Sequence, residues 1–216
     1  MRFAAARRSA MIRSVLEIEQ SRRTVLAGFM TVTAGFVGPA QAQSRPVGQV
    51  TAAQGAAFLE RASARLPAAP GSALFLEDLA TTRDQSRLDL RLGGATRIRL
   101  GSNAALRIDR LALAAAAVTL QDGPALIERG AGAEPGFTLR SPFALIAARG
   151  TVFFAGPSNG RFGVFVQAGA VDVRTPRGTV RLAAGQGTDI AAPGAAPTAP
   201  KLWGLERIQA ALASVS

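Results

Sequence analysis

The sequence predicts an all-β fold: antiparallel hairpins arranged sandwich-like or as a short solenoid, followed by one C-terminal amphipathic helix. Three observations predict it. Between Ile146 and Ile190 four β-patterned runs follow one another: Thr151–Phe154, Phe162–Gln167, Ala170–Arg174 and Thr179–Leu182. Glycine at 150, 156, 160, 169, 178, 185 and 187 punctuates them. Leu88, Leu90 and Leu92 alternate with Asp89 and Arg91, and Ile98 and Leu100 alternate with Arg97 and Arg99, the period-two pattern of strands with one buried face. The chain is also 48% hydrophobic with 23 glycines in 216 residues, long enough to enclose a core.

Composition removes several chemistries. With no cysteine there is no disulfide framework, no thiolate nucleophile and no cysteine-ligated metal. Lacking histidine, the chain also lacks the commonest general base near neutral pH, so neither a Ser-His-Asp nor a Cys-His arrangement exists. Net charge is +11; residues 1–42 hold six arginines and two glutamates, which leaves 19 bases against 12 acids on the rest.

The first 42 residues read as a cleaved export signal. Arg22 and Arg23 precede an apolar run to Val37, and Ala40-Gln41-Ala42 supplies a small-x-small cleavage site. The paired arginines suggest the twin-arginine route. The apolar run falls short of the roughly 20 residues that span a bilayer. The expectation is a periplasmic protein beginning after Ala42, with membrane association left open.

Val47–Thr51 and Ala57–Glu60 read as strands around Gly55, and Arg61–Gly71, carrying Pro67 and Pro70, as a loop. Glu77 and Asp78 are adjacent carboxylates, but neighbours in a strand or turn point apart, so Asp78 is expected to close a turn on backbone amides. Facing both leucine-rich runs onto one core pairs Leu92 with Thr96, Leu90 with Ile98 and Leu88 with Leu100 around Gly93-Gly94-Ala95. Asp89 then opposes Arg99, a favourable pair, and Arg91 opposes Arg97, an unfavourable one. The same reasoning pairs Val173 with Val180, Val171 with Leu182 and Asp172 with Arg181, with a bulge at Gly178 as the alternative. The two hairpins resemble each other, which points to two stacked or facing sheets. Leu111–Ala117 is open between helix and strand, and Glu128–Gly136 reads as a loop.

Arg149-Gly150-Thr151, Phe153, Val164, Val166, Gly169–Val173, Leu182 and Gly185-Gln186, preceded by Phe75–Thr82 and Leu88–Ile108, resemble the FecR domain, a periplasmic signalling module. The resemblance spans roughly Val47 to Ile190 and rests on the order of the segments, since each alone could be any hairpin. It implies a FecR-type β domain at 43–190, followed by a Pro/Ala linker at 191–200 and a helix at 201–216. Classical members are membrane-spanning sigma-factor regulators with a cytoplasmic helical domain. This sequence shows neither that domain nor a spanning helix, so a stand-alone member is expected, read by a separate membrane protein.

In the helix, Leu202, Leu205, Ile208, Leu212 and Val215 recur at three- and four-residue steps beside Trp203. It is expected to fold back over an end or edge of the β domain, or to dock a partner.

Three function classes remain. The first is a non-catalytic interaction or sensing module whose partner is another envelope or inner-membrane protein. The second is an envelope protein binding an anionic glycan or lipid through Arg91, Arg97, Arg99 and Arg107, from a stretch with seven arginines and three acids over residues 83–110. The competing reading of those arginines is a solvated, edge-protecting face. Nucleic acid is disfavoured, because no stacking aromatic lies among them. An enzyme would need two acids across a cleft, and nothing sets a pair apart. No cofactor or metal is expected.

Overall fold

Alternating apolar residues can be satisfied only if each strand turns one face to a common interior, and the chain does this by dealing its strands to two facing sheets. The computed structural model describes residues 45–112, 115–130 and 136–216. The strands are β1 Gly48–Gln54, β2 Ala57–Arg61, β3 Ala64–Pro67, β4 Ala73–Leu74, β5 Leu79–Thr82, β6 Arg87–Leu92, β7 Thr96–Leu100, β8 Ala105–Ala112 and β9 Ala115–Asp122. They continue as β10 Ala125–Arg129, β11 Phe137–Arg140, β12 Leu145–Ala148, β13 Val152–Ser158, β14 Arg161–Ala168, β15 Ala170–Thr175, β16 Gly178–Ala183, β17 Gln186–Ile190 and β18 Lys201–Leu202. Among the described residues one helix, α1, covers Leu205–Ala213.

Sheet A runs β18-β17-β14-β13-β10-β7-β6-β1-β4, and sheet B runs β16-β15-β12-β11-β9-β8-β5-β2-β3. From β5 onward each sheet takes its strands in chain order. The chain therefore winds back and forth between the layers while advancing along one axis. Sandwich and solenoid, the two arrangements expected from sequence, are here one object. All pairings are antiparallel except β9 with β11. The corner between β14 in sheet A and β15 in sheet B is the single residue Gly169, at φ +82°. A Cβ there would sit 2.8 Å from the Gly150 carbonyl oxygen, so only glycine fits the corner.

The core lies between the sheets: Leu88, Leu90, Ile98, Leu100, Leu106, Ile108, Ile127, Leu139, Ile146, Phe153, Val164, Val173 and Leu182 are all fully buried. Both hairpin registers match the sequence expectation residue for residue, and the second has no bulge at Gly178. The look-alike hairpins sit in different sheets, β6–β7 in A and β15–β16 in B.

Two expectations are corrected and one left open is resolved. Residues 61–71 are not all loop: Ala64–Pro67 forms β3, an exposed edge strand on which Pro67 takes the final position, where its missing N–H costs nothing. Leu111–Ala112 and Ala115–Ala117 are strand, because pairing to each other and to β11 outweighs the helical preference of alanine; residues 113 and 114 lie outside the described residues. Glu128 and Arg129 belong to β10, held between β7 and β13, while 131–135 lie outside the described residues. Residues 191–200 form no helix or strand but are held in place: Ala195 packs on the core, the Thr198 N–H donates to the Asp189 carbonyl, and Thr198 Oγ1 accepts the Asp189 N–H.

Asp78 does close a turn. Its buried carboxylate accepts the Phe75 N–H at 2.8 Å and takes Arg61 bidentately, Nε at 2.7 Å and an Nη at 2.8 Å. Arg61 also lies over the Phe75 ring, its guanidinium carbon 4.1 Å from the ring centre. Asp78→Ala strands one buried amide and one half-exposed guanidinium, and should lower stability by about 2–3 kcal/mol. Urea denaturation should show this as a fall in midpoint with an unchanged slope.

Candidate interaction site

The four arginines expected to share one polyanion surface do not share a sheet. Arg91, Arg97 and Arg99 stand on the outer face of sheet A, on β6 and β7; Arg107 stands on β8 of sheet B. Most are already matched with acids. Glu128 on β10 holds Arg99 at 2.5 Å and Arg97 at 3.7 Å. Asp89 and Arg99 are opposite in register as expected, while the ion pair of Arg99 is made with Glu128. Burial consequently pushes the Asp89 carboxyl up, against the partial pull of Arg99 and Arg97. Arg91 and Arg97 are opposed as expected, with the Arg91 guanidinium donating to the Gly94 carbonyl at 3.3 Å. On sheet B, Arg107 binds Asp109 at 2.7 Å and reaches Glu77 at 3.9 Å. Arg22, Arg23, Ala40 and Ala42, the residues expected to direct export, lie outside the described residues.

The outer face of sheet A changes character from one end to the other. Along one row it reads Asp89, Arg99, Leu126, Phe154 and Phe165, polar on β6 and β7 and apolar on β10, β13 and β14. The apolar half is covered by the chain's own end. Leu126, Phe154 and Phe165 form a second buried cluster with Trp203, Ala211 and Val215, separate from the main core. Trp203 stacks on Phe165 with centroids 5.2 Å apart and meets Phe154 edge-on at 6.5 Å. Glycine makes the slot: a Cβ at Gly187 would overlap the indole. The indole Nε1 is buried and makes no hydrogen bond.

Arg207 closes the other side. Its guanidinium lies 3.7 Å from the centre of the Trp203 ring, donates to Ser158 Oγ at 3.0 Å and grips the Asp189 carboxylate bidentately. Lys201 adds a contact to Asp189 at 3.2 Å. Burial alone would push the Asp189 carboxyl up, but hydrogen bonds from Arg207 and Lys201 outweigh it and hold it below its ordinary 3.8.

This anchoring corrects the helical stripe. Leu202 and Leu205 are 76% and 71% exposed, and the inward residues are Trp203, Ile208, Ala211, Leu212 and Val215. The helix begins only at Leu205 after an extended Gly204, and Lys201–Leu202 is strand, so helical spacing counted from 202 starts too early. The covered sheet face was signalled in the sequence. Val152-Phe153-Phe154 and Phe162–Val166 are continuous apolar runs with no alternation, the pattern of strands buried on both faces.

Other concave features are modest. A cleft of about 350 Å³ lies among the loops around the parallel ring stack of Phe143 on Phe162, 4.7 Å between centres. Among the described residues no group of three or more His, Cys, Asp or Glu side chains is placed to hold a metal, and no helix is long and apolar enough to cross a membrane.

The described residues thus form two facing sheets with paired surface charges and a tail folded onto one outer face. Residues 78–172 match the family model described as FecR protein. Two crystal structures of a candidate anti-sigma factor from Parabacteroides distasonis share the fold, each with a TM-score of 0.54 and 16% identity over 62% of this chain. The chain spans a little under two thirds of those proteins, 64% and 63%. No curated protein sequence matches it.

Two outcomes follow for the anchored tail. Asp189 has a depressed folded-state pKa, so its contribution is complete well above 3.8 and is lost as pH falls through the lowered value. Acidification below about pH 4 should therefore red-shift the emission of Trp203, the only tryptophan, before far-ultraviolet dichroism reports loss of the sheets. Gly187→Ala should give the same red shift at neutral pH, with the main β transition retained.

Proposed function

We propose that this chain is an exported, non-catalytic FecR-type module that works by binding a separate membrane signalling protein. The observation that carries the reading is the FecR match at 78–172, set in a scaffold whose buried or half-buried carboxylates Asp78, Asp109, Glu128 and Asp189 are each held by arginine. Acids tied down in this way brace a surface and are poorly placed to shuttle protons. The description of the structural neighbours as candidate anti-sigma factors is in keeping with a signalling setting. Export rests on the Arg22-Arg23 and Ala40-Gln41-Ala42 signal, and a periplasmic address follows from it.

Pairing of Arg97, Arg99 and Arg107 favours a protein partner over a polyanion, because each guanidinium would have to leave a carboxylate before gripping a glycan or lipid phosphate. Envelope fractionation combined with in-cell photo-cross-linking from exposed positions tests the reading. The expected result is a periplasmic chain cross-linked to one inner-membrane protein. Retention in the cytoplasm, or cross-linking to lipopolysaccharide or peptidoglycan alone, would overturn it.

A further inference from the structure

A protein partner needs a place to dock, and the two sheets have four edges between them. Three offer little free ladder. β4 and β18 are two residues long, and β3 is four residues long with Pro67, which has no N–H, at one of its two outward-turned positions. β17, next to β18, is sealed along its remaining length by Thr198, whose N–H donates to the Asp189 carbonyl at 3.0 Å and whose Oγ1 accepts the Asp189 N–H at 3.0 Å. The fourth edge, β16, is six residues long and pairs only with β15.

The register fixes which backbone groups are free. Thr175 and Gly178 close a two-residue turn, so they form the hydrogen-bonded pair, as do Val173 with Val180 and Val171 with Leu182. Thr179, Arg181 and Ala183 consequently turn their N–H and C=O groups away from β15. The Ala183 N–H agrees with this, since it bonds the Gln186 side chain at 2.9 Å. Among the described residues Thr179 and Arg181 have no backbone hydrogen bond outside the β15–β16 pair, and both are exposed. Pro197 passes beside Gly178, yet residues 191–200 make no backbone hydrogen bond to this edge.

Charge selects the occupant. Arg181 is 76% exposed and touches Asp172, the one acid in β15 and β16, only at 3.7 Å. Arg174 and Arg177 are exposed and form no ion pair among the described residues. Three guanidinium groups thus flank a short open ladder with a single carboxylate between them.

We propose that β16 is a strand-addition site for an acidic, extended segment of the partner, which pairs with Thr179 and Arg181 and sets its carboxylates against Arg174, Arg177 and Arg181. This rests on the reading of the chain as an interaction module. The purified full chain is titrated into a fluorescent octapeptide alternating Glu and Val, with a Lys/Val octapeptide as comparison, followed by anisotropy. Two variants carry the test. Arg181→Pro removes an outward N–H without touching the β15 ladder, and Arg174→Glu with Arg177→Glu inverts the charge on exposed side chains. Both should keep the parent Tm and Trp203 emission. The expected result is binding of the Glu/Val peptide, weakened by salt and at least tenfold by either variant, with no comparable binding of the Lys/Val peptide. No binding, equal binding of the Lys/Val peptide or unchanged affinity in Arg181→Pro would overturn the site. So would a dimer dissolved by Arg181→Pro, which would make a second copy the occupant. In-cell cross-linking separates the two readings. A membrane protein still captured by Arg181→Pro refutes this edge but not the module; no protein captured by the parent chain refutes the module itself.

Discussion

Leu88, Leu90 and Leu92 on β6, Ile98 and Leu100 on β7, and Val171 and Val173 on β15 must all turn inward together, and a slip of one residue in either hairpin would carry the whole set to the surface. That constraint fixes much else. It decides which arginines face water, which backbone groups remain free on an outer strand, and why the corners between layers need a residue such as Gly169. The surface can vary freely only in those positions the core does not claim.

The same alternation explains how much could be read in advance. Both hairpin registers, the all-β class, the winding of like hairpins into two facing layers and the turn role of Asp78 were legible, because each depends on local spacing of leucine, valine and charge. What was not legible depends on neighbours distant in sequence. Arg99 chooses Glu128 over Asp89 because β10 inserts next to β7 after 24 intervening residues, a fact carried by topology alone. The alanine run before Val118 becomes strand because β8 and β11 flank it. The tail was misread by counting a helical period through residues that are still extended, although the doubly apolar β13 and β14 already implied that something must cover them.

Electrostatics in this chain does two different jobs. Glu128 and Asp109 neutralise arginines on the sheet faces, where partial exposure and salt keep each pair's net worth small. Asp189 is different. It is buried, it is reached by Arg207 and Lys201 together, and both of those residues belong to the tail. Removing one partner would leave an uncompensated buried charge, so the cluster acts as a latch joining β17 to α1. The buried, unpaired indole N–H of Trp203 works against it, since a desolvated donor without an acceptor costs about 1–3 kcal/mol. The attachment therefore depends on the latch as well as on aromatic packing.

The tail also accounts for the asymmetry between the two sheets at this end. Residues 191–200 leave β17, cross the open end of the sandwich with Ala195 on the core, and return as β18 against the same strand. Their route seals sheet A twice, by Thr198 and by Lys201–Leu202. Beside β16 the segment presents Pro197, which has no N–H to donate, so it can lie near Gly178 without extending sheet B. A sequence richer in ordinary residues there would be free to pair with β16 and close it. Proline at 197 lets the chain pass close to the edge and withholds a donor that would occupy it. The exposed arginines then do what charged residues do on outer strands, discouraging indiscriminate pairing while leaving the ladder open to a strand of opposite charge.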